Sequence, residues 1–316
     1  MFSLSELQAL QHITSAARLS SYKHCLGTTA PAETYGAYMW SMAVSTAFTP
    51  LIQALEVSLR NAINNALSPA YGANWFEIWA RNSADELRRS GKLQGKSEGE
   101  NLIAKARSKL IEKAKKERQR IGAGPLPVNH HPSWQAILAE MTFGFWVTFL
   151  NKRFWDINQR SKLWPNHLTT VFPNAPTPLY AQGALHKEFN EVLDIRNRIH
   201  HQEPLWKHHS VASHQQAINH LRQQLSACCL RLGYMSPVAL VALERYGAIA
   251  AIDELCSEST FQRFIGHSCG QTKPLRTARK DLRLLARNTP VNQSIWLVSP
   301  TEQPLLVVRH ATRRYF

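Results

Sequence analysis

The amino-acid sequence predicts a mainly α-helical protein, a helical bundle that carries a small C-terminal α+β appendage. Apolar side chains recur at helical spacing, as in residues 51–63, where every fourth residue is Leu or Ile. Near the C-terminus, "SIWLVSP" and "PLLVVRHA" predict two strands joined as a hairpin. We therefore expect a helical domain at residues 1–235 and an α+β domain of unknown role at residues 236–316.

The first predicted helices have recognisable ends. Ser3 and Glu6 have the spacing of a capping box at the start of the first helix. Thr49 and Pro50 suit the N-cap and first position of another helix, which Ser68, Pro69 and Gly72 end. A short aromatic helix and then a basic helix follow.

Three further segments of the predicted bundle lead to its end. After a Gly- and Pro-rich loop, residues 133–154 predict one apolar core helix. Residues 177–204 predict a long helix that ends near Pro204, since proline disfavours helix at the residue before it. Residues 210–235 predict another helix, which Gly233 closes, and short helices follow it.

The composition indicates a basic, intracellular protein. The chain has 37 Lys and Arg against 22 Asp and Glu, a formal net charge of +15, which attracts polyanions. The odd number of cysteines and the absence of a CxxC pair argue against a secreted disulfide protein and a zinc ribbon. The N-terminus lacks the pattern of a signal peptide, and no apolar run approaches the ~20 residues that span a bilayer. We expect a soluble, cytoplasmic protein without membrane contact.

Residues 103–120, "IAKARSKLIEKAKKERQR", contain eight Lys or Arg against two Glu. Such a run is usually the solvated face of a helix, but it can also follow the phosphate backbone of a nucleic acid. The cations that we predict to contact nucleic acid are Lys105, Arg107, Lys109, Lys113, Lys116 and Arg120.

Chemistry is most concentrated in residues 194–204, "DIRNRIHHQEP". Arg196 is permanently charged and suits a phosphate or its pentacoordinate transition state. Asn197 can hydrogen-bond either partner, and histidine can take or give a proton near neutral pH. Cleavage of RNA by its own 2′-hydroxyl needs such groups and no metal ion. The chain has no phosphate-loop, GxGxxG or HExxH signature.

Two other interpretations of this segment remain open. Arg and His in the last turn of a helix complement its macrodipole, which is a purely structural role. The other interpretation is a metal site, because four histidines lie close together in the sequence. The segment has no cysteine and few carboxylates, so we expect no metal and no cofactor. The histidines are His200, His201, His208 and His209.

The segment also resembles a known family. Arg196, Asn197 and His201 match the RNxxxH form of the motif of HEPN-domain ribonucleases, and "LDIRNRIHHQEPLW" resembles the corresponding block of the Abi-like (abortive infection) family. "LEVSLRNAINNAL" at 55–67 and "AEMTFGFWVTFLN" at 139–151 resemble two other blocks of that family, in the same order. The resemblance covers roughly residues 33–235.

This resemblance implies an all-α HEPN bundle, often dimeric, that acts as a metal-independent endoribonuclease in phage defence or toxin–antitoxin systems. His201 would be the general acid or base, Arg196 would stabilise the phosphorane, and Asn197 would hold the geometry. Arg60 and Asn61, from the block at 55–67, join the predicted nucleic-acid contacts. The predicted partners are an RNA substrate, a second copy of the chain and an antitoxin, either protein or RNA.

The chain departs from the family pattern at the histidines. His200 replaces a small residue, and Gln202 replaces the second histidine of the family's pair. On an ideal helix His200 lies about 40° from Arg196 and His201 about 140°. The motif therefore favours His201, if the helix unwinds before Pro204 or if two subunits form the site, whereas helical geometry favours His200.

Some HEPN toxins carry a tyrosine two residues after the motif histidine, and a partner nucleotidyltransferase inactivates the toxin by modifying this tyrosine. Glu203 stands at that position here, so we do not expect this chain to be inactivated in that way. Two rival interpretations are a non-catalytic nucleic-acid- or protein-binding helical module, and a structural dimer in which the cluster only caps a helix.

Overall fold

The computed structural model describes residues 4–156, 158, 162–266, 280, 284, 294–297 and 305–308. The fold is mainly α-helical, as predicted. The helices are α1 (Leu4–Thr14), α2 (Ala16–Leu26), α3 (Pro31–Tyr71), α4 (Trp75–Arg89), α5 (Glu98–Arg120), α6 (Trp134–Ala139), α7 (Phe143–Thr148), α8 (Leu168–Val171), α9 (Ala184–His200), α10 (His214–Met235), α11 (Pro237–Arg245), α12 (Ala248–Leu255) and α13 (Glu258–Phe264). Two 3₁₀ turns lie at Lys152–Phe154 and Thr177–Tyr180.

The strands β1 (Ser294–Leu297) and β2 (Leu305–Val308) form the predicted hairpin. They pair antiparallel, with Ser294 opposite Val308 and Leu297 opposite Leu305. Ser3, Cys269 and most of the last fifty residues lie outside the described residues, so the capping box predicted at Ser3 and the fold predicted for the rest of this region stay predictions.

The chain divides into two compact units. Unit 1 comprises the described parts of 1–54, 195–232 and 237–316, and unit 2 comprises 55–194 and 233–236. This grouping differs from the predicted division at residue 235, because α11, α12 and α13 belong with the N-terminal helices.

Unit 1 has its core around Trp40 of α3. The Trp40 indole N–H donates to the carbonyl of Leu255 at 2.8 Å, and its ring packs edge-on against Phe261 at 5.0 Å. At Gly36, one turn earlier, a Cβ atom would lie 1.9 Å from the carbonyl oxygen of Phe264. Glycine is therefore required where α3 meets the end of α13.

Unit 2 is built around aromatic side chains. Trp75 packs against Phe149 with ring centroids 5.1 Å apart, and both rings are buried. The Trp164 indole N–H donates to the Phe149 carbonyl at 2.6 Å. The apolar helix predicted for 133–154 is interrupted here, since Thr142 adopts an extended backbone (φ −77°, ψ 161°) between α6 and α7. After the break α7 buries Phe143, Phe145 and Trp146, and the prediction of one helix is wrong.

The predicted helix start at Pro50 is also wrong, because α3 continues through it. A proline in a helix interior removes one backbone hydrogen bond at a cost of roughly 3 kcal/mol. Phe48, Leu51 and Leu55 are fully buried around it, and their burial offsets that cost. The helix continues through Ser68 and Pro69, where an end is also predicted, and it stops at Tyr71, before Gly72 in the left-handed region (φ 85°).

Helix α3 is also long and apolar enough, by length and composition, to cross a membrane. This corrects the expectation that no such segment exists. The core helix of a soluble protein meets the same criterion, and α3 buries Trp40, Val44 and Phe48. Among the described residues α3 is thus no positive sign of a membrane protein.

Candidate functional site

The predicted site lies at the C-terminal end of α9. The helix is amphipathic, with Val192 and Ile195 buried and Arg196, Asn197 and His200 on its more accessible sides. It begins at Ala184, after the 3₁₀ turn, so the start predicted at residue 177 is wrong. It ends at His200, so the end predicted near Pro204 is confirmed.

The end of α9 is a Schellman cap. Gln202 adopts the left-handed conformation (φ 54°), which is uncommon for a residue other than glycine. Its N–H donates to the carbonyl of Ile199 at 3.1 Å, and the Glu203 N–H donates to the carbonyl of Arg198 at 2.8 Å. The His201 N–H still donates to Asn197 at 2.9 Å, the α-helical pattern. The chain therefore reverses after His201.

This cap decides how the two histidines are arranged. Because the backbone stays helical through His201, the unwinding that would bring His201 beside Arg196 of the same chain does not occur. His200 is the histidine on the Arg196 side of the helix, by the 100° rotation per residue. Both imidazoles are exposed, whereas Arg196 is half-buried and its guanidinium lies 3.5 Å from the Asn197 side-chain oxygen.

Arg198, the second arginine of the segment, has a structural role. Its guanidinium donates to the carbonyl oxygens of Pro204 at 3.3 Å and Lys207 at 2.6 Å. These bonds hold the loop after the cap against the last turn of α9.

Arg18 is a cation at this site that the sequence analysis did not find. Its guanidinium donates to the Gln202 carbonyl at 3.0 Å, across 184 positions of sequence. It stands in the first turn of α2, where the Ser15 hydroxyl accepts from the Arg18 N–H. No local pattern marks this residue, because only the folded chain brings α2 to the cap.

The loop after the cap is anchored by Trp206. This side chain is 1% exposed, and its ring packs edge-on against Tyr22 of α2 at 5.2 Å. Burial raises the pKa of Tyr22 to about 12, so the phenol stays neutral beside the indole.

Three imidazoles beyond Trp206 form a row, which we call the histidine row: His209, His208 and His220. The ring centroids of His209 and His208 lie 3.8 Å apart, and His208 stacks on His220 at 4.9 Å. Burial, then the nearby His208 and Arg198, lower the pKa of His220 below its ordinary 6.5. His220 therefore favours the neutral form.

The pKa of His220 predicts a pH dependence of stability. The unfolded chain takes up the proton more readily than the folded chain, so the free energy of unfolding should fall as pH drops through and below about 6.5. His220→Gln should make denaturant-unfolding curves less dependent on pH between about pH 7 and 5. His24→Gln, at an exposed site, is the control. Equal pH slopes for wild type and His220→Gln would contradict the assignment.

The basic helix α5 begins at a capping box formed by Ser97 and Glu100 and extends to Arg120. Arg107 pairs with Glu77 at 3.2 Å, and Lys109 pairs with Glu140 at 2.5 Å.

Arg120, at the end of α5, pairs with Glu117 at 2.7 Å, so half of the predicted contacts on this helix are partly neutralised. The others make no ion pair within 4 Å among the described residues: Lys105, Lys113 and Lys116. On α3, the Arg60 guanidinium donates to the Asn61 side chain at 3.2 Å. Both predicted groups of nucleic-acid contacts lie in unit 2, and the α9 cap lies in unit 1.

Other catalytic chemistry has little support among the described residues. No three His, Cys, Asp or Glu side chains in this part of the chain are grouped to hold a metal ion. Burial raises the pKa of the Cys229 thiol to about 11 and that of Cys256 to about 12, so neither is a ready nucleophile.

Fold and site together define a mainly α-helical protein with an Arg/His motif at the capped end of one helix. The family model described as Abi-like protein matches residues 8–207, more than half of the 316 residues. The chain therefore belongs to the Abi-like family, and this membership suggests a role in abortive infection. No curated protein and no solved structure matches the chain.

Proposed function

We propose that this protein is a metal-independent endoribonuclease of the HEPN toxin type, which acts in phage defence or in a toxin–antitoxin system. The observation that carries the proposal is the α9 cap, which leaves His200 and His201 exposed at the end of the helix that carries the half-buried Arg196. Membership of the Abi-like family supports it. The substrate would be RNA, and an antitoxin of protein or RNA would restrain the activity in the cytoplasm.

The proposed reaction is attack by the RNA's own 2′-hydroxyl. One histidine removes the proton from this hydroxyl, and the resulting oxygen forms a bond to phosphorus. The P–O bond to the 5′-oxygen breaks, and a second acid delivers a proton to that oxygen. The products are a 2′,3′-cyclic phosphate and a 5′-hydroxyl, and Arg196 stabilises the charge that develops on phosphorus.

The reaction needs two proton transfers, and the geometry of α9 offers two ways to supply them. In one, His200 and His201 of the same chain share the work. In the other, the family motif applies and His201 serves a site made by two chains, since it lies about 140° from Arg196 on its own helix. We favour the second, with two copies of Arg196 and His201 around one phosphate.

The two-chain site predicts a homodimer with complementation. Mixing Arg196→Ala chains with His201→Ala chains should restore cleavage above that of either variant alone, because the mixed dimer keeps one Arg196 and one His201. Sedimentation should show a dimer at micromolar concentration. A monomer that cleaves RNA fully would contradict the shared site.

RNA binding should depend on the unpaired cations of α5. Reversing Lys113 and Lys116 to Glu should weaken binding and lower the slope of log affinity against log salt by about one per lost phosphate contact. Lys109→Glu should have a smaller effect, because Glu140 already pairs with Lys109. Anisotropy titrations at several salt concentrations measure both quantities. Unchanged affinity and slope would mean that α5 is a solvated face.

The direct test of the function is cleavage of single-stranded RNA in EDTA, with the ends of the products identified. Cyclic-phosphate or 3′-phosphate ends support the mechanism. RNA binding without cleavage would favour the alternative, a non-catalytic binding module. The exposed cations of α5 are compatible with that alternative as well.

A further inference from the structure

The histidine row combines rings that make hydrogen bonds with rings that are exposed. The His208 Nδ1 accepts from the Ser210 N–H at 3.3 Å and lies 2.8 Å from the Ser210 hydroxyl. His220 lies 2.9 Å from the amide of Gln224. Two of the three rings are therefore fixed by hydrogen bonds, although His208 and His209 remain exposed.

The backbone that carries the exposed rings is held equally well. Arg198 binds the carbonyl of Lys207, the residue just before His208. Gln224 donates to the carbonyl of Leu205 at 3.3 Å, and Trp206 is buried. The loop thus runs from the α9 cap to the rings with little freedom, and a ligand that meets these rings causes little loss of conformational entropy.

Neither the core nor a metal explains this arrangement. His209 and His208 bury too little surface to act as core side chains, and no metal-binding group of three exists among the described residues. What the row offers is a flat and exposed ring, that of His209, which lies 3.8 Å from the fixed His208 ring and is tilted by 44° against it. Flat rings of this kind stack on unpaired nucleobases, which present a π-face whatever their sequence.

We propose that the histidine row is a stacking subsite for one unpaired nucleobase of an RNA strand. A base would stack on the exposed ring of His209, and the exposed Lys207 would bind the adjacent phosphate. This inference rests on the proposed function for the choice of RNA and deepens it, because stacking requires a single strand. The subsite follows the α9 cap closely in the chain, so we expect this base to lie near the cleaved linkage.

The test uses the full-length protein and a single-stranded RNA with 2′-O-methyl groups throughout, which lacks the attacking hydroxyl. Affinity is measured by anisotropy at fixed salt and at about pH 8, where imidazoles of ordinary pKa are neutral. His209→Ala should weaken binding by about 5- to 150-fold, the loss of one stacked base. His209→Phe should keep the wild-type affinity, because it keeps a flat ring. His24→Ala, at an exposed histidine of α2, should have no effect.

Two further readouts identify the cause. The salt slope should be the same for His209→Ala and wild type, since no phosphate contact is lost. A strand of the same length without bases should bind wild type and His209→Ala equally. Equal weakening by the Ala and Phe variants, or none by either, would overturn the proposal.

The test of the stacking subsite does not depend on whether the protein cleaves RNA. If the protein never cleaves RNA but binding needs a ring at position 209, the proposed function fails and the subsite stands. If the enzyme cleaves RNA and His209→Ala binds and cleaves like wild type, the subsite fails and the function stands. Thermal denaturation of each variant confirms that the fold is intact.

Discussion

Replacing His201 with alanine is expected to lower the rate of RNA cleavage by about 10²–10⁴-fold, the usual contribution of a general acid–base group. The reason is that the variant lacks the side chain that removes the proton from the 2′-hydroxyl or protonates the leaving oxygen. Arg196→Ala should cost a comparable factor, because the phosphorane loses its cation. Single-turnover cleavage of a labelled single-stranded RNA in EDTA measures both.

His200→Ala is the matched variant for this experiment, because the two histidines are adjacent and both exposed. A small effect of His200→Ala supports His201 as the acid–base group and a site made by two chains. A large effect with an unaffected His201→Ala would support the arrangement on one helix, where His200 lies on the side of Arg196.

The controls follow from the chemistry and the cap. His201→Ala and Arg196→Ala should both stay folded, since charged side chains at a helix end contribute only about 1 kcal/mol to the free energy of unfolding. The corresponding DNA strand should resist cleavage, because it has no 2′-hydroxyl. Cleavage that requires Mg²⁺, or that proceeds equally on DNA, would refute the mechanism.

Trp206→Ala is expected to lower the free energy of unfolding by about 3–5 kcal/mol, the usual cost of deleting a large buried aromatic side chain. The cavity would open between Tyr22 and the loop that follows the α9 cap. Urea denaturation measures the loss. A change below about 1 kcal/mol would contradict the burial of the indole.

Trp206→Phe is the control for this variant. The indole N–H of Trp206 has no hydrogen-bond partner among the described residues, so phenylalanine removes volume but no hydrogen bond. It should cost clearly less than alanine. Trp206→Ala should also reduce RNA cleavage under conditions where the protein is still folded, because the loop that fixes the cap becomes mobile.

Much of the fold could be predicted from the sequence because helix signals are local. The apolar spacing of α3, the end of α9 before Pro204 and the hairpin of β1 and β2 depend on neighbours a few residues away. The same holds for the motif at residues 196–201, which is contiguous. The blocks that resemble the Abi-like family are contiguous too, and the match over residues 8–207 confirms the family.

The errors occurred where packing outweighs local preference. Proline predicts a helix start, yet α3 passes through Pro50 because buried side chains on both sides compensate for the lost hydrogen bond. A continuous apolar pattern predicts one helix for 133–154, yet the chain breaks at Thr142 to bury aromatic residues on more than one side. Periodicity records which residues are apolar, but it does not record where the packing partners lie.

By itself the sequence determined the helical class, the basic character and the Arg/His motif of this protein. Only the tertiary structure decided what surrounds that motif: Arg18 on the Gln202 carbonyl, the histidine row, and Glu140 on Lys109. The physical reason is that these contacts join residues distant in sequence, and hydrogen bonds and ion pairs need separations of about 3 Å that only the folded chain sets.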